Sequence, residues 1–429
     1  MKFVKKLCIC LFILLSFSLV LLYNVSASYE DVPNIASPSA LLMDLNTGKI
    51  LYEKNINEKM YPASLTKVMT AILTLENCDL NEVATVSYDA VMSISSGYVT
   101  ANLQIGEELT VEQLLSVLLV GSANDAAIVL AEHISGSVED FSVLMNEKAK
   151  ELGCTSTNFL NPYGAHDENH YSTAYDLALI SKYAMQNETF RTLVSTTSYK
   201  LPITNKYEKE DRLFTTTNAL LMVNNNTRAD NYYYKYATGL KTGFTTPAKN
   251  CLIASANKGN LELLTVILGA DQNEEGLSNR YLDTINLFEY GYDNYSLREV
   301  IKTGGVVQTV TVKNATRDTK KLDAVVQNDI SVLIKSADKD TALLPEVHIN
   351  ENLKAPISKG DIIGSVKYTI EGIEYTENLI ASNDVKKSRF LFNTLVFILI
   401  IIFVYLYLKA NKRRKKNRRL KKKINKKGA

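Results

Sequence analysis

Tyr61-Pro-Ala-Ser-Leu-Thr-Lys-Val-Met-Thr-Ala-Ile-Leu-Thr-Leu75 decides how the rest of the chain is read. Pro62 suits the first turn of a helix, where its missing N–H is not needed. Leu65, Val68, Met69, Ile72, Leu73 and Leu75 make that helix apolar over most of its circumference, which predicts burial. Ser64 and Lys67 lie at i and i+3 and so share one face. A buried lysine is uncommon. At the start of a buried helix, the positive dipole end and desolvation both lower its pKa, making it a base toward a serine three residues away. Taken alone, such a pair is common and reads first as a capping serine and a snorkelling lysine. The rest of the chain has to decide.

Both ends carry membrane signals. Lys2, Lys5 and Lys6 precede the apolar stretch Leu7 to Leu22, and Val25-Ser26-Ala27 offers a small-residue cleavage site. Residues 1–27 therefore read as a signal peptide, with an uncleaved anchor as the alternative. Phe390 to Leu408 is about nineteen almost wholly apolar residues, long enough to cross a bilayer. Residues 409–429 follow as a basic tail with thirteen Lys/Arg and no acid. By the positive-inside rule the tail is cytoplasmic and the preceding domains lie outside the cell membrane. Its position behind an apolar span favours anionic lipid contact over nucleic-acid binding.

The formal net charge of +2 over 429 residues is misleading. Without the thirteen tail charges and three signal-peptide lysines, 32 basic residues face 46 acidic ones, near −14. An acidic ectodomain does not suit nucleic acid. Cys78, Cys154 and Cys251 remain after the leader, too few for a disulfide framework. Neither they nor His133, His166, His170 and His348 show metal-ligand spacing, so no metal and no cofactor are expected.

Ala40 to Tyr52, turning at Asn46-Thr-Gly48, predicts a β-hairpin. Thr110-Val-Glu-Gln113 is a capping box opening a helix to Val120. Ser122-Ala123-Asn124 fills the break after Gly121, and a third helix runs from Ala126 to Ile134. Asn161-Pro-Tyr-Gly164 is a turn, and Thr173 to Met185 has helical periodicity. Tyr232 to Leu240 leads into Lys241-Thr-Gly243 with β-prone sequence on both sides, and Cys251–Ala256 and Leu261–Gly269 form another hairpin. Tyr281 to Tyr290 closes the domain as a helix. Strands at both ends and helices between them predict an α+β domain, an antiparallel sheet with helices, over 35–290. Short β-type runs over 297–382 predict a small all-β sandwich. The span at 390–408 would be a C-terminal transmembrane helix.

Three separated elements carry the chemistry: Ser64-Leu-Thr-Lys67, Ser122-Ala-Asn124 and Lys241-Thr-Gly243. In that order they form the signature of serine β-lactamases and penicillin-binding proteins. A serine hydroxyl needs a neighbour to take its proton, and Lys67 is placed to do so. Ser122 relays a proton to the leaving group. Asn124 orients Lys67 and the substrate amide. Lys241 and Thr242 bind a carboxylate, and Gly243 lets the substrate backbone approach a strand edge.

With Tyr61 to Thr70, Gly121-Ser-Ala-Asn-Asp-Ala126, Asn161-Pro-Tyr-Gly164, His170-Tyr-Ser-Thr-Ala174 and Gly239-Leu-Lys-Thr-Gly-Phe-Thr245, the chain resembles the serine-type D-alanyl-D-alanine carboxypeptidases, low-molecular-mass penicillin-binding proteins. Pro356-Ile-Ser-Lys-Gly-Asp361 extends the likeness to roughly 35–385. The resemblance implies a β-lactamase/transpeptidase-like fold and acylation of Ser64 by the penultimate D-alanine of a peptidoglycan stem peptide ending in D-Ala-D-Ala. It also implies covalent inhibition by β-lactams such as penicillin, and an oxyanion hole of the Ser64 and Phe244 N–H groups. Three wordings depart from the family: Ser-Ala-Asn for Ser-Asp-Asn, the loop Ala165-His-Asp-Glu-Asn-His170, and a full span with a basic tail in place of an amphipathic helix. The alternatives are a D,D-endopeptidase or transpeptidase on cross-linked wall, and a non-enzymatic wall-peptide sensor. Glu168, which imitates a β-lactamase deacylating base, reads as structural. Cys251 reads as core, and His166 and His170 as loop hydrogen-bonders. The Tyr232–Tyr236 cluster reads as either cleft lining or strand packing.

Overall fold

The computed structural model describes residues 32–209, 212–223 and 232–425. The signal peptide expected at 1–27 and the final residues of the basic tail, 426–429, lie outside the described residues. The chain divides into two compact units, one ending at Asn294 and the other beginning at Tyr295.

In the first unit, β1 (Ser39–Asp44) and β2 (Ile50–Lys54) form the expected hairpin. A 3₁₀ turn, Ala63–Thr66, then runs into α1 (Lys67–Asn77). There follow β3 (Val83–Thr85), α2 (Tyr88–Met92), β4 (Glu108–Thr110), α3 (Val111–Leu119), α4 (Asn124–Ser135) and α5 (Val138–Glu151). Next come α6 (Ala174–Ala184), α7 (Glu188–Ser195), β5 (Ser198–Lys200) and β6 (Leu213–Thr215). The unit closes with β7 (Ala237–Thr245), β8 (Lys249–Lys258), β9 (Leu261–Ala270) and α8 (Asn279–Asn294).

The large sheet is antiparallel throughout, in the order β2-β1-β9-β8-β7. The chain's beginning and end thus meet in one sheet, with the helices inserted between. All ten residues of β9 are buried, as a central strand covered on both faces must be. β7, which carries Lys241-Thr-Gly243, lies at the sheet's edge.

The helix at Tyr61–Leu75 starts later than the proline suggested. Ala63 has φ +47°, which no α-helix admits, so Pro62 precedes a 3₁₀ turn and the α-helix begins at Lys67. From Lys67 to Thr74 every residue is buried. Leu65, Val68, Met69, Ile72 and Leu73, each at most 3% exposed, contribute roughly 1.5–3 kcal/mol apiece. That sum, on the order of 10 kcal/mol, exceeds the several kcal/mol of burying one lysine, above all if it sheds its charge. α3 has the predicted capping box: Gln113 N–H donates to Thr110 Oγ1, and Thr110 N–H to Gln113 Oε1. The Tyr232–Tyr236 segment is not a strand; Tyr234 stacks on Phe288 and Tyr232 lies against Tyr281, both in α8.

The second unit contains β10 (Tyr295–Ile301), β11 (Val306–Thr311), β12 (Lys321–Val326), β13 (Ile330–Lys335), β14 (Glu346–Ile349), β15 (Ile362–Ile370) and β16 (Ile373–Ala381). A two-stranded sheet β10-β13 and a five-stranded sheet β11-β12-β16-β15-β14 share a core of Leu322, Val332, Val366 and Leu379. α9 (Phe390–Asn425) follows. Among the described residues it holds the one helix long and apolar enough to cross a membrane. The helix continues without a break into the basic segment.

Candidate active site

The 3₁₀ turn, the starts of α1 and α4, the Asn161–Gly164 turn and β7 converge on one spot. Lys67 Nζ, fully buried, lies 3.0 Å from Ser64 Oγ and donates to Tyr163 O at 3.0 Å and to Asn124 Oδ1. Burial first, then the charge of Lys241, holds its pKa well below the usual lysine range, with Asp125 opposing. A neutral amine 3.0 Å from a hydroxyl is a general base in reach of its proton.

Lys241 is also buried, and its Nζ rests on Thr242 O at 3.1 Å. Burial and the neighbouring Arg280 bring its pKa down to about 7. The Thr242 hydroxyl is hydrogen-bonded to that of Thr217. Gly243 brings β7 against the turn that carries Ser64: a Cβ there would lie 3.0 Å from Pro62 O and 3.2 Å from Ser64 N. Phe244 is exposed. Ser122, 7% exposed, adopts φ +62° between α3 and α4; among the described residues its Oγ makes no hydrogen bond. Two non-glycine residues in the left-handed region, Ala63 and Ser122, therefore flank this one site, a placement typical of functional strain.

Several partners were not foreseen from sequence. The Asn161–Gly164 turn presses on the turn that carries Ser64: Gly164, at φ +85°, has no room for a Cβ, which would fall 1.8 Å from Ala63 O. Asn161 Oδ1 accepts from Gly164 N at 2.7 Å and Ala165 N at 3.0 Å and so holds the turn. His170 Nδ1 accepts from Leu160 N at 3.1 Å, so its Nε2 carries the proton and donates to Thr66 Oγ1 at 2.9 Å. Burial lowers the His170 pKa to about 4, keeping it neutral. The buried Asp125 carboxylate accepts from Ala101 N and Leu103 N, pinning that loop beside Asn124. Arg280 donates to Gly243 O at 3.3 Å, while its buried Nε has no partner among the described residues. Asn-Pro-Tyr-Gly and Asp125 adjoin recognised motifs and offered a signal; Arg280, 37 residues from Gly243, offered none.

Other candidates fall outside the site's chemistry. Glu168 is exposed. His166 packs edge-on against Tyr61. Cys251 is fully buried, its Sγ facing Tyr61 O and Ala248 O, with burial pushing its pKa up to about 11.

Residues 26–272 match the family model for D-alanyl-D-alanine carboxypeptidase. The chain belongs to this family. Residues 295–387 match the C-terminal domain of penicillin-binding protein 5. Among curated relatives, the D-alanyl-D-alanine carboxypeptidase DacF of Bacillus subtilis is 34% identical, covering 82% of this chain and 87% of its own length. Among solved structures, penicillin-binding protein 5 of Haemophilus influenzae is 27% identical with a TM-score of 0.62, covering 83% of this carboxypeptidase-family chain and 99% of its own. The peptidoglycan synthesis regulatory factor PBP3 of Streptococcus pneumoniae is 25% identical with a TM-score of 0.69, covering 82% and 100%. The fold is that of the penicillin-binding proteins, with the β domain included.

Proposed function

We propose that this chain is a membrane-anchored serine carboxypeptidase that removes the terminal D-alanine from peptidoglycan stem pentapeptides, and that penicillin acylates the same serine. The observation that carries this reading is the buried Lys67 Nζ, 3.0 Å from Ser64 Oγ and depressed in pKa by burial and Lys241. Ser64 Oγ attacks the carbonyl of the penultimate D-alanine while Lys67 takes its proton. The oxyanion is held by the N–H groups of Ser64 and Phe244, a contribution worth roughly 2.7–4 kcal/mol per donor. Ser122 passes the proton to the departing nitrogen of the terminal D-alanine, and the C–N bond breaks. Water then attacks the Ser64 ester, its proton going to Lys67, and returns Ser64 Oγ–H. Lys241, Thr242 and the unsatisfied Arg280 receive the substrate's terminal carboxylate. Asn124 holds Lys67 and the substrate amide.

In this reading residues 1–27 direct export, 35–290 are catalytic, and 297–382 form the β domain. The span at 390–408 keeps them outside the cell membrane, and the basic segment 409–429 lies in the cytoplasm on anionic lipid. Two measurements test the core of it. The full chain in detergent should label with fluorescent penicillin and release D-alanine from a free pentapeptide, and Ser64→Ala should do neither. Labelling that persists in Ser64→Ala, or a wild-type chain that releases no D-alanine, would overturn it.

A further inference from the structure

α1 and α4 carry the site at their N-terminal ends, Lys67 and Asn124, where one hydrogen bond joins them. At their other ends three potential ligands converge. Cys78 is the C-cap of α1, Glu82 lies in the turn that follows, and His133 stands in the last turn of α4. A thiol sulfur, a carboxylate oxygen and a ring nitrogen, one from each, all lie within 4.8 Å of one another. Glu82 Oε2 is 3.2 Å from His133 Nε2, while Oε1 accepts from Asp79 N at 2.6 Å and is thereby oriented.

We propose that Cys78, Glu82 and His133 form a zinc site that clamps the far ends of this helix pair. Sulfur, nitrogen and oxygen donors together suit tetrahedral Zn²⁺, with water in the fourth position. Bond lengths of about 2.0–2.3 Å put tetrahedral donors about 3.3–3.7 Å apart. A pair at that 4.8 Å limit closes by about 1 Å on binding, which a small χ rotation of the exposed Glu82 and His133 side chains supplies. Binding displaces the Cys78 thiol proton to solvent and takes the imidazole neutral. The Asp79 N–H, donating to Glu82 Oε1, already fixes the orientation of that carboxylate. No metal is expected from the sequence because neither the cysteines nor the histidines show metal-ligand spacing, and Cys78 and His133 are far apart in the chain. The fold closes that distance.

The clamp lies one helix length, about 16 Å, from Lys67, so its function is to fix the helix pair and not to touch substrate. The test uses the full chain in detergent, given one equivalent of Zn²⁺ and then dialysed. Metal content is measured, and alkylation of the Cys78 peptide is followed by mass spectrometry; Cys154 and Cys251 are buried and serve as internal references. About one zinc per chain should be retained, and Cys78 alkylation should slow at least tenfold. Cys78→Ser and His133→Ala should each retain none, while penicillin acylation of Ser64 stays within twofold of wild type and shows both variants folded. Loss of zinc from the wild-type chain, unchanged Cys78 alkylation, or zinc retention by either variant equal to that of wild type would each overturn the proposal.

Discussion

Replacing Gly164 by alanine separates two effects that usually travel together. The residue sits at φ +85°, where an L side chain costs about 1–2 kcal/mol. Its Cβ would also lie 1.8 Å from Ala63 O and 2.3 Å from Ala63 C. Real Cβ contacts stay above 3.0 Å, so the backbones must part by at least 1.2 Å. The Asn161 side chain holds one side in place, so the displacement falls on the turn carrying Ser64. A shift near 1 Å in a reacting group costs about 10²-fold in rate, equal to about 2.7 kcal/mol. Gly153→Ala is the control: the same positive φ, +86°, with nothing within 4 Å of its Cβ. Both variants should lower Tm, by roughly 2–8 °C for 1–2 kcal/mol in a domain of this size. Only Gly164→Ala should slow acylation, measured as the second-order rate with fluorescent penicillin. If Gly164→Ala acylates within threefold of wild type, or if Gly153→Ala is equally slow, the turn does not position the nucleophile and the reasoning fails.

Three further outcomes follow from the same geometry. Lys241 has a folded pKa of about 7 against the ordinary 10.5, so the unfolded chain binds more protons between them. Its contribution to stability is therefore lost as pH falls through about 7, and the denaturation midpoint should rise from pH 7 to 9; Lys241→Met should flatten that rise. Above 9 the buried thiols of Cys154 and Cys251, raised to about 12 and 11, act in the opposite sense. Thr66→Val leaves the buried His170 Nε2–H without its acceptor, a loss of about 1–3 kcal/mol, visible as a lower Tm in scanning calorimetry. Removing 390–429 should move the protein from the membrane to the soluble fraction with penicillin labelling retained, as ultracentrifugation of labelled cells would show.

The hairpins were legible because alternation and a glycine turn are local signals, as at Asn46-Thr-Gly48. α3 was legible through its capping box. α5 and α7 were missed because their exposed faces are strongly polar, although Ser137 and Asn187 cap them as those residue types should. β16 was missed for a related reason: alternate residues face solvent and read as loop. In the candidate site, Ser64, Lys67, Ser122, Asn124 and Lys241 sit in short motifs whose spacing carries meaning. Tyr163 O, Thr66 with His170, and Arg280 reach the site only through contacts across the fold. A backbone carbonyl has no residue type, so no pattern announces Tyr163 as a partner of Lys67.

In the proposed reaction the electrostatics let one buried lysine serve as a base while another binds an anion. Lys67 and Lys241 are both buried, Arg280 stands beside Lys241, and Asp125 is the carboxylate that opposes the Lys67 shift. Without substrate the cluster is short of negative charge, and desolvation lowers the pKa of both lysines, that of Lys241 to about 7. A substrate or penicillin carboxylate supplies the missing charge beside Lys241 and restores its proton. A charged Lys241 in turn repels a proton from Lys67, keeping it the acceptor that Ser64 needs. Binding and activation are thus one electrostatic event: the anion charges Lys241, and Lys241 in its charged form holds Lys67 neutral. A neutral C-terminal amide in place of the carboxylate should therefore lose acylation rate as well as affinity, because kcat depends on the same charge.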